Sequence, residues 1–405
     1  LNLNAATAAV GSLQTINGSN LLDDPNTSYN DLVNNTFISS AAFSNAIEIA
    51  LNGKEMEVYD SFDRANFEVK VTDFFSSDSY TSNNNIQNHL VRLMPKNLEK
   101  AEHENLFGNF SFQANKDTIQ NTLFQSKGDF LTLGYNQSTN NFENAVSPLS
   151  NFFNDNSFGN KYLVNPYFYT GSGEDYFMSF NGKGTYGLDT FTNGNTSDMG
   201  FAFNFNPLSS NYNYKEYAGD LQIVLGTNYE QNKFLNTNST GVFSTGEMSN
   251  TNFTGLKYMK NFGDGFTFVG NGFAGYTYID KARNSYISNS TPLLTSSFTL
   301  GLTKSSFIKK NQTLGFFINQ PQRVEKGNIN FKIPTSSDRD RTVSYSDLTV
   351  DLEPQARQIN YDLIFNKSIT DMSNLSANFT YVQNSDHAKD SKNQSFISVF
   401  YKKTF

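Results

Sequence analysis

The feature that most limits what this chain can become is a period of two. From Leu106 to the C-terminus, apolar and polar residues take turns in about a dozen short runs. That alternation marks strands with one oily and one wet face. Phe110, Phe112 and Ala114 alternate with Ser111, Gln113 and Asn115. Later rows are Leu131, Leu133 and Tyr135, then Tyr176, Met178 and Phe180 continuing through Tyr186 and Leu188. Met199 to Phe205, Leu221 to Tyr229, Thr254 to Tyr258 and Phe266 to Tyr278 follow, with Gly270 and Gly272 as points where a wall can bend. Leu294 to Leu302, Leu314 to Ile318, Ile359 to Phe365 and Leu375 to Tyr381 precede a last strand, Gln394 to Phe405.

That last strand carries Ile397, Val399, Tyr401 and Phe405 on one face and ends on its aromatic. In water it would leave an exposed edge of the kind soluble proteins blunt. A bacterial outer-membrane barrel instead presents such a strand to its barrel assembly machinery as a signal. Composition agrees. No stretch reaches the roughly 20 apolar residues of a transmembrane helix, yet the chain holds 39 Phe and 21 Tyr in 405 residues. A membrane barrel reconciles the two, because only every second strand residue faces lipid. With no Trp, Tyr and Phe must supply any interfacial belt. A net charge of −8 without a basic stripe excludes nucleic acid as a partner. The absence of Cys rules out disulfides and cysteine metal sites.

The expected fold is therefore all-β: an antiparallel transmembrane β-barrel of about twelve strands over 106–405, with ten to fourteen accepted. Runs of about 9–11 residues suit a tilted bilayer crossing. A soluble β-sandwich or solenoid also alternates, but no fixed repeat supports a solenoid. With the C-terminus on the periplasmic side, Lys367–Asn374, Lys304–Lys310 and Lys260–Asp264 become short inner turns. Asn384–Asn393, Gln320–Ala356, Ile279–Leu293 and Gln231–Asn250 become long outer loops, the asymmetry such barrels show. Gln137–Asp175 breaks this pattern, being too long for an inner turn; it suggests a helix or a further strand pair around Tyr162–Tyr169.

Residues 1–105 stand outside the ladder as a small mixed linker region. Ser39–Leu51 has helical spacing, and Met56–Val71 reads as two short strands around Asp60, Asp63 and Arg64. His89–Asn105 has Leu90, Leu93, Met94 and Leu98 along one side and charges along the other, with Pro95 to kink it. A helix about 10 Å wide fits a twelve-stranded lumen, so this is a candidate pore helix; a periplasmic or surface helix is the alternative. The chain starts at Leu1 without an initiator Met or a signal core, as a processed or truncated piece would.

Catalysis finds no support. A Ser-His-Asp site needs a base held beside a nucleophile, whereas His89, His103 and His387 sit in no such motif and no Gly-x-Ser-x-Gly elbow occurs. His103 and His387 read as solvated. Asp338-Arg339-Asp340-Arg341 reads as a loop tip, and Arg323, Arg357 and Asp362 as an ion-pair network at a barrel mouth. No metal ligand set and no cofactor is expected, since acidic residues near Asp60 and Asp63 lack calcium-loop spacing.

The chain resembles the C-terminal region of subtilisin-like autotransporter serine proteases. The resemblance rests on Leu1-Asn2-Leu3-Asn4-Ala5-Ala6-Thr7, on Val58-Tyr59-Asp60-Ser61-Phe62-Asp63-Arg64, and on Gly226-Thr227-Asn228-Tyr229-Glu230. Its most specific block is Gln320, Pro321, Arg323, Val324 and Glu325 within Asn319–Gly327, continued by Arg357 within Leu352–Arg357. Lys403 holds a place where that family carries an aromatic. The resemblance implies an outer-membrane translocator, set in lipid with its N-terminal segment in the pore or at the cell surface. It would anchor and export an upstream protease passenger that lies before Leu1. Lumen-facing Asn, Gln, Ser, Thr and Gly would hydrate the passing chain. A porin-like or structural barrel without export is the alternative.

Overall fold

The computed structural model describes residues 13–14, 37–38, 40, 42–60, 66–76, 100–104, 108–115, 118–126, 131–135, 162, 164–168, 175–182, 186–193, 198–207, 219–239, 243–246, 248–281, 285–337, 342–370 and 373–403. Fifteen strands among them form one antiparallel sheet. In chain order these are β1 (Lys100–Glu104), β2 (Gly108–Asn115), β3 (Thr118–Ser126), β4 (Leu131–Tyr135) and β5 (Asp175–Gly182). Next come β6 (Tyr186–Asn193), β7 (Met199–Phe205), β8 (Asp220–Gln231), β9 (Met248–Gly263) and β10 (Phe266–Ile279). The last five are β11 (Leu293–Ser305), β12 (Gln312–Lys326), β13 (Ile359–Thr370), β14 (Ser373–Gln383) and β15 (Gln394–Lys403). Each strand pairs with its neighbours in sequence, so the wall is an unbroken meander with β1 and β15 at its edges.

The expectation of about twelve strands differs from this sheet at three places. Lys100–Glu104 pairs with β2 as a strand, so the helix expected over His89–Asn105 does not cover these residues. β3 escapes a period-two reading because Ile119, Leu123 and Phe124 break the alternation, and its pairing with β2 slips near Ala114. The run Tyr176–Leu188 is two strands, folded so that Gly182 faces Tyr186; Asn181, Gly182 and Gly184 are turn formers. Splitting that run changes the parity of every earlier connection. The connection 136–174 therefore leaves from the same end of the wall as 232–247, 280–292, 327–358 and 384–393. The other end carries 105–107, 127–130, 183–185, 264–265, 306–311 and 371–372, which are short, and one longer connection, 206–219. Gly270 and Gly272 cause no break, since β10 keeps register with both neighbours through them.

Alternation sorts the side chains. On one face stand Phe203, Leu225, Leu256, Leu302, Phe316, Leu363 and Phe379, each more than 40 % exposed. Their sequence neighbours Ala202, Val224, Gly255, Gly301, Phe317 and Ile364 are buried on the other face.

The end with long connections carries a packed cap. Helix α1 (Ala46–Leu51) is too short to hold itself and owes its place to Ile47 and Leu51, both buried. The chain returns through Gly53, at φ +73°, into the antiparallel pair Glu55–Asp60 and Asn66–Lys70. Phe43 stacks on Phe234 of the short strand Lys233–Phe234 at 5.6 Å. The hairpin Asn328–Ser337 and Val343–Asp351 adds Ile329, Phe331, Ile333 and Val350 to the same apolar core. Ile287–Ser290 extends it as a third strand. Val324, at the end of β12, belongs to this core, and its N–H donates to the Ala42 carbonyl at 2.7 Å.

Candidate functional site

The buried face of the wall is occupied by residues 162 and 164–168, part of the long connection between β4 and β5. Tyr162 stacks on Phe317 of β12 at 4.0 Å, and Asn271 of β10 donates its side-chain amide to the Tyr162 carbonyl at 2.6 Å. Tyr167 lies on Phe253 of β9 at 4.9 Å, with its hydroxyl 2.8 Å from Thr295 Oγ1 of β11. Phe168 reaches Phe191 of β6 at 4.9 Å and also Phe253. Strands β6 and β12 are six steps apart, about 29 Å across a flat sheet. A segment that turns back at Asn165 (its carbonyl accepts the Phe168 N–H) is shorter than that. Strands β6, β9, β10, β11 and β12 all meet this one segment on the buried, inner face of the wall.

Space for this filling comes from glycines. Phe191, Phe253, Phe273 and Phe317 each sit directly opposite a glycine on the next strand, namely Gly200, Gly226, Gly255 and Gly301. Each ring lies so flat that a Cβ on its glycine would come within 2.2–2.3 Å of it. Tyr167 covers Gly275 in the same way, at 2.5 Å. These aromatic–glycine pairs cover the backbone and fix register. The inner face is thus not uniformly Asn, Gln, Ser, Thr and Gly, as the alternation alone suggests. One arc is aromatic and packed. The polar part holds itself together: Thr251 with Thr277 at 2.8 Å, Asn319 donating to Thr299 Oγ1 at 2.8 Å, and Asn378 donating to Thr380, which in turn bonds Asp362.

Where the inside meets the cap, the motif residues gather. Gln320 to Glu325 lie not in a loop but on the end of β12, where two register shifts against β11 accommodate Pro321, while Arg357 lies in the connection before β13. Arg323, nearly buried, donates to Glu325 Oε2 at 2.5 Å and to the carbonyls of Pro354 at 2.7 Å, Ala356 at 3.1 Å and Val324 at 3.2 Å. Glu353 accepts a further N–H at 3.3 Å. Arg357 grips Glu325 with two bonds, 2.8 and 2.7 Å, and also reaches Gln320. Such bidentate pairs are the strong kind. Asp362, expected in this network, lies elsewhere, bonded to Thr380. Val324 points away into the cap core.

His387 corrects the expectation of a solvated side chain. It is 1 % exposed, accepts the Gln358 N–H on Nδ1 at 2.9 Å, and has Nε2 3.1 Å from the Gln322 carbonyl. Nδ1 as acceptor makes the imidazole neutral with its proton on Nε2. Burial first, then the Arg323 charge, hold its pKa down to about 3. Of the remaining expected site residues, Ile397, Val399 and Tyr401 stand exposed on the oily face of β15. Phe405, the helix residues Leu90, Leu93, Met94 and Leu98, and Asp338–Arg341 lie outside the described residues. The roles of Tyr162, Tyr167, Phe168 and His387 have no motif behind them; the excess length of 136–174 is the single sequence signal for the first three.

A long meander, oily on one face and filled on the other, is the class these features define. No protein family and no curated relative matches the chain. Among solved structures it is similar to OmpTΔL8, a loop-deletion mutant of an outer membrane protein of Vibrio cholerae. That match has TM-score 0.40 and 10 % identity, covering 75 % of this chain and 88 % of that one. In-vitro folded OmpT of the same organism gives 0.37 and 9 %, covering 75 % and 85 %. Pseudomonas putida OprB gives 0.37 and 11 %, covering 71 % and 72 %.

Proposed function

We propose that this chain is a transmembrane β-barrel of a bacterial outer membrane that anchors its packed cap at the cell surface. One observation carries the reading: the exposed face of the wall is a continuous field of Phe, Leu, Met and Tyr from β4 to β15. Soluble monomers rarely expose an apolar patch beyond a few hundred Å², and this one runs across a dozen strands. Hydrocarbon accepts it, at roughly 25 cal/mol for each Å² taken from water. The same medium forbids open sheet edges, because each unpaired N–H there costs several kcal/mol; the wall in a membrane is closed. We assign the chain no catalytic role.

The finer role we propose is that of a translocator, inserted by the barrel assembly machinery, which exports and then holds an upstream subtilisin-like passenger. Two things support it: the sequence resemblance, and the packing of residues 42–60 and 66–71 at the end with the long connections, which are extracellular in such barrels. The porin-like or structural alternative is favoured by the filled interior, which a passenger could not share.

The test is direct. Full-length protein expressed in a Gram-negative host is expected in the outer-membrane fraction, soluble only with detergent. An epitope inserted between Asn52 and Gly53, an exposed turn of the cap, is expected to be cut by protease on intact cells. A protein that stays monodisperse without detergent ends the membrane reading. A tag protected until lysis ends the surface reading, and a gene with a signal peptide directly before Leu1 ends the export reading.

A further inference from the structure

The short-turn end of the wall has a chemistry of its own. Along the oily face, the apolar row ends in a lysine on alternate strands: Lys260 after Tyr258 on β9, Lys304 after Leu302 on β11, and Lys367 after Phe365 on β13. Lys309 and Lys310, both exposed, crown the connection between β11 and β12. Apolar side chains stand between these charges: Phe262 at 61 % exposure and Ile308 at 74 %, with Phe266 and Phe307 beside them. The ammonium of Lys304 sits 4.1 Å from the Phe266 ring centre, and that of Lys260 5.3 Å from Phe262.

Backbone bonds make this a continuous rim. Ser305 N–H donates to the Gly265 carbonyl at 2.8 Å, joining the first short connection to the end of β11. Ser368 N–H donates to the Asn311 carbonyl at 3.0 Å, joining the second to β13. Against five lysines the described rim exposes one acid, Asp264, whose carbonyl accepts from Lys304, while Asp220 at the same end of β8 is buried; Asp371 lies in the connection outside the described residues. The whole chain carries −8, so this cationic collar runs against the overall charge. At the other end the oily rows of β10 and β14 finish in tyrosines, Tyr278 and Tyr381, and a lysine, Lys326, ends β12 opposite Leu294.

We infer that the short-turn rim is a docking surface for anionic phospholipid headgroups, binding their phosphates with Lys260, Lys304, Lys309, Lys310 and Lys367. Lysines whose stems lie along apolar surface lift their charge to headgroup level, while Phe262, Phe266, Phe307 and Ile308 enter the acyl region below. Each lysine at an anionic surface is worth a several-fold preference. This inference rests on the membrane reading and is tested apart from it.

The test uses the full chain reconstituted in phosphatidylcholine bilayers with trace spin-labelled phosphatidylglycerol or phosphatidylcholine. Association of the anionic label is expected to exceed that of the neutral one by about five-fold and to fall toward parity in 1 M salt. In the variant K304Q/K309Q/K310Q, insertion into neutral bilayers is expected to be unchanged and most of the preference lost. Equal association of both labels with the wild type overturns the inference while leaving the membrane reading intact. So does a preference that survives both salt and the triple substitution. Failure of the wild type to insert into any bilayer overturns both.

Discussion

Glu230 shows how one side chain couples the wall to its cap. It sits at the cap end of β8, just past Tyr229, the last apolar residue of that strand's oily row, and is 1 % exposed. It accepts the N–H of Asn236 at 2.6 Å across a turn in which Asn232, Leu235 and Asn236 all have positive φ. That turn seats Phe234 and Leu235 in the cap core. Burial pushes the carboxyl up from 4.5 to about 7, against the Asn236 N–H and the nearby Lys233, which is itself paired to Asp198 at 2.5 Å. The native state thus holds a proton that the unfolded chain releases above pH 4.5. The stabilisation is complete below that pH and is lost as pH rises through about 7, an effect of order 3 kcal/mol. Thermal unfolding in detergent is expected to show a midpoint that falls between about pH 5 and pH 8. Glu230→Gln is expected to flatten that fall and to be the more stable protein at about pH 8; an unchanged slope would assign the dependence elsewhere. Little of this is legible in the sequence. Arg323, Glu325 and Arg357 stand out as charges, but nothing around Ser385-Asp386-His387 signals burial. That burial comes from the positive-φ turn at Asn384, Asp386 and His387, which folds the ring beneath Arg323.

Among elements, the connection between β4 and β5 is the least readable and the most consequential. Its length is visible, but its destination depends on which residues face inward across the other strands. Merging β5 and β6 into one strand reverses the end from which it departs. The aromatic–glycine pairs are hidden for the same reason: Phe273 and Gly255 become partners only once register is known. Gly275→Val puts two methyl groups where the Tyr167 ring now lies. Overpacking of this kind usually costs about 1–3 kcal/mol, and the cheapest escape is to expel residues 162–168. In planar bilayers the wild type is therefore expected to pass little current and Gly275→Val to open larger, longer-lived steps. Gly272→Val is the control, because a Cβ added at this glycine of the oily face meets nothing within 4 Å. It is expected to conduct like the wild type. Equal conductance in all three proteins would mean that the segment does not occlude the interior.

For the whole molecule, period-two patterning is enough for the all-β class and for most of the asymmetry of the two ends, which 206–219 breaks, because faces and turns are local properties. The cap is not legible, since its core joins Phe43, Phe234, Phe331 and Val350 from parts of the chain far apart. The same contrast dictates an order of assembly. A wall in which each strand needs only its sequence neighbour can zip up hairpin by hairpin, at low loop-closure cost. The contacts of Tyr162 and Tyr167 instead bridge separations of 109 and 128 residues. They have no surface to land on until β6 through β12 stand side by side, so in the barrel we propose the lumen would stay open through insertion and be stoppered only as the last act of folding.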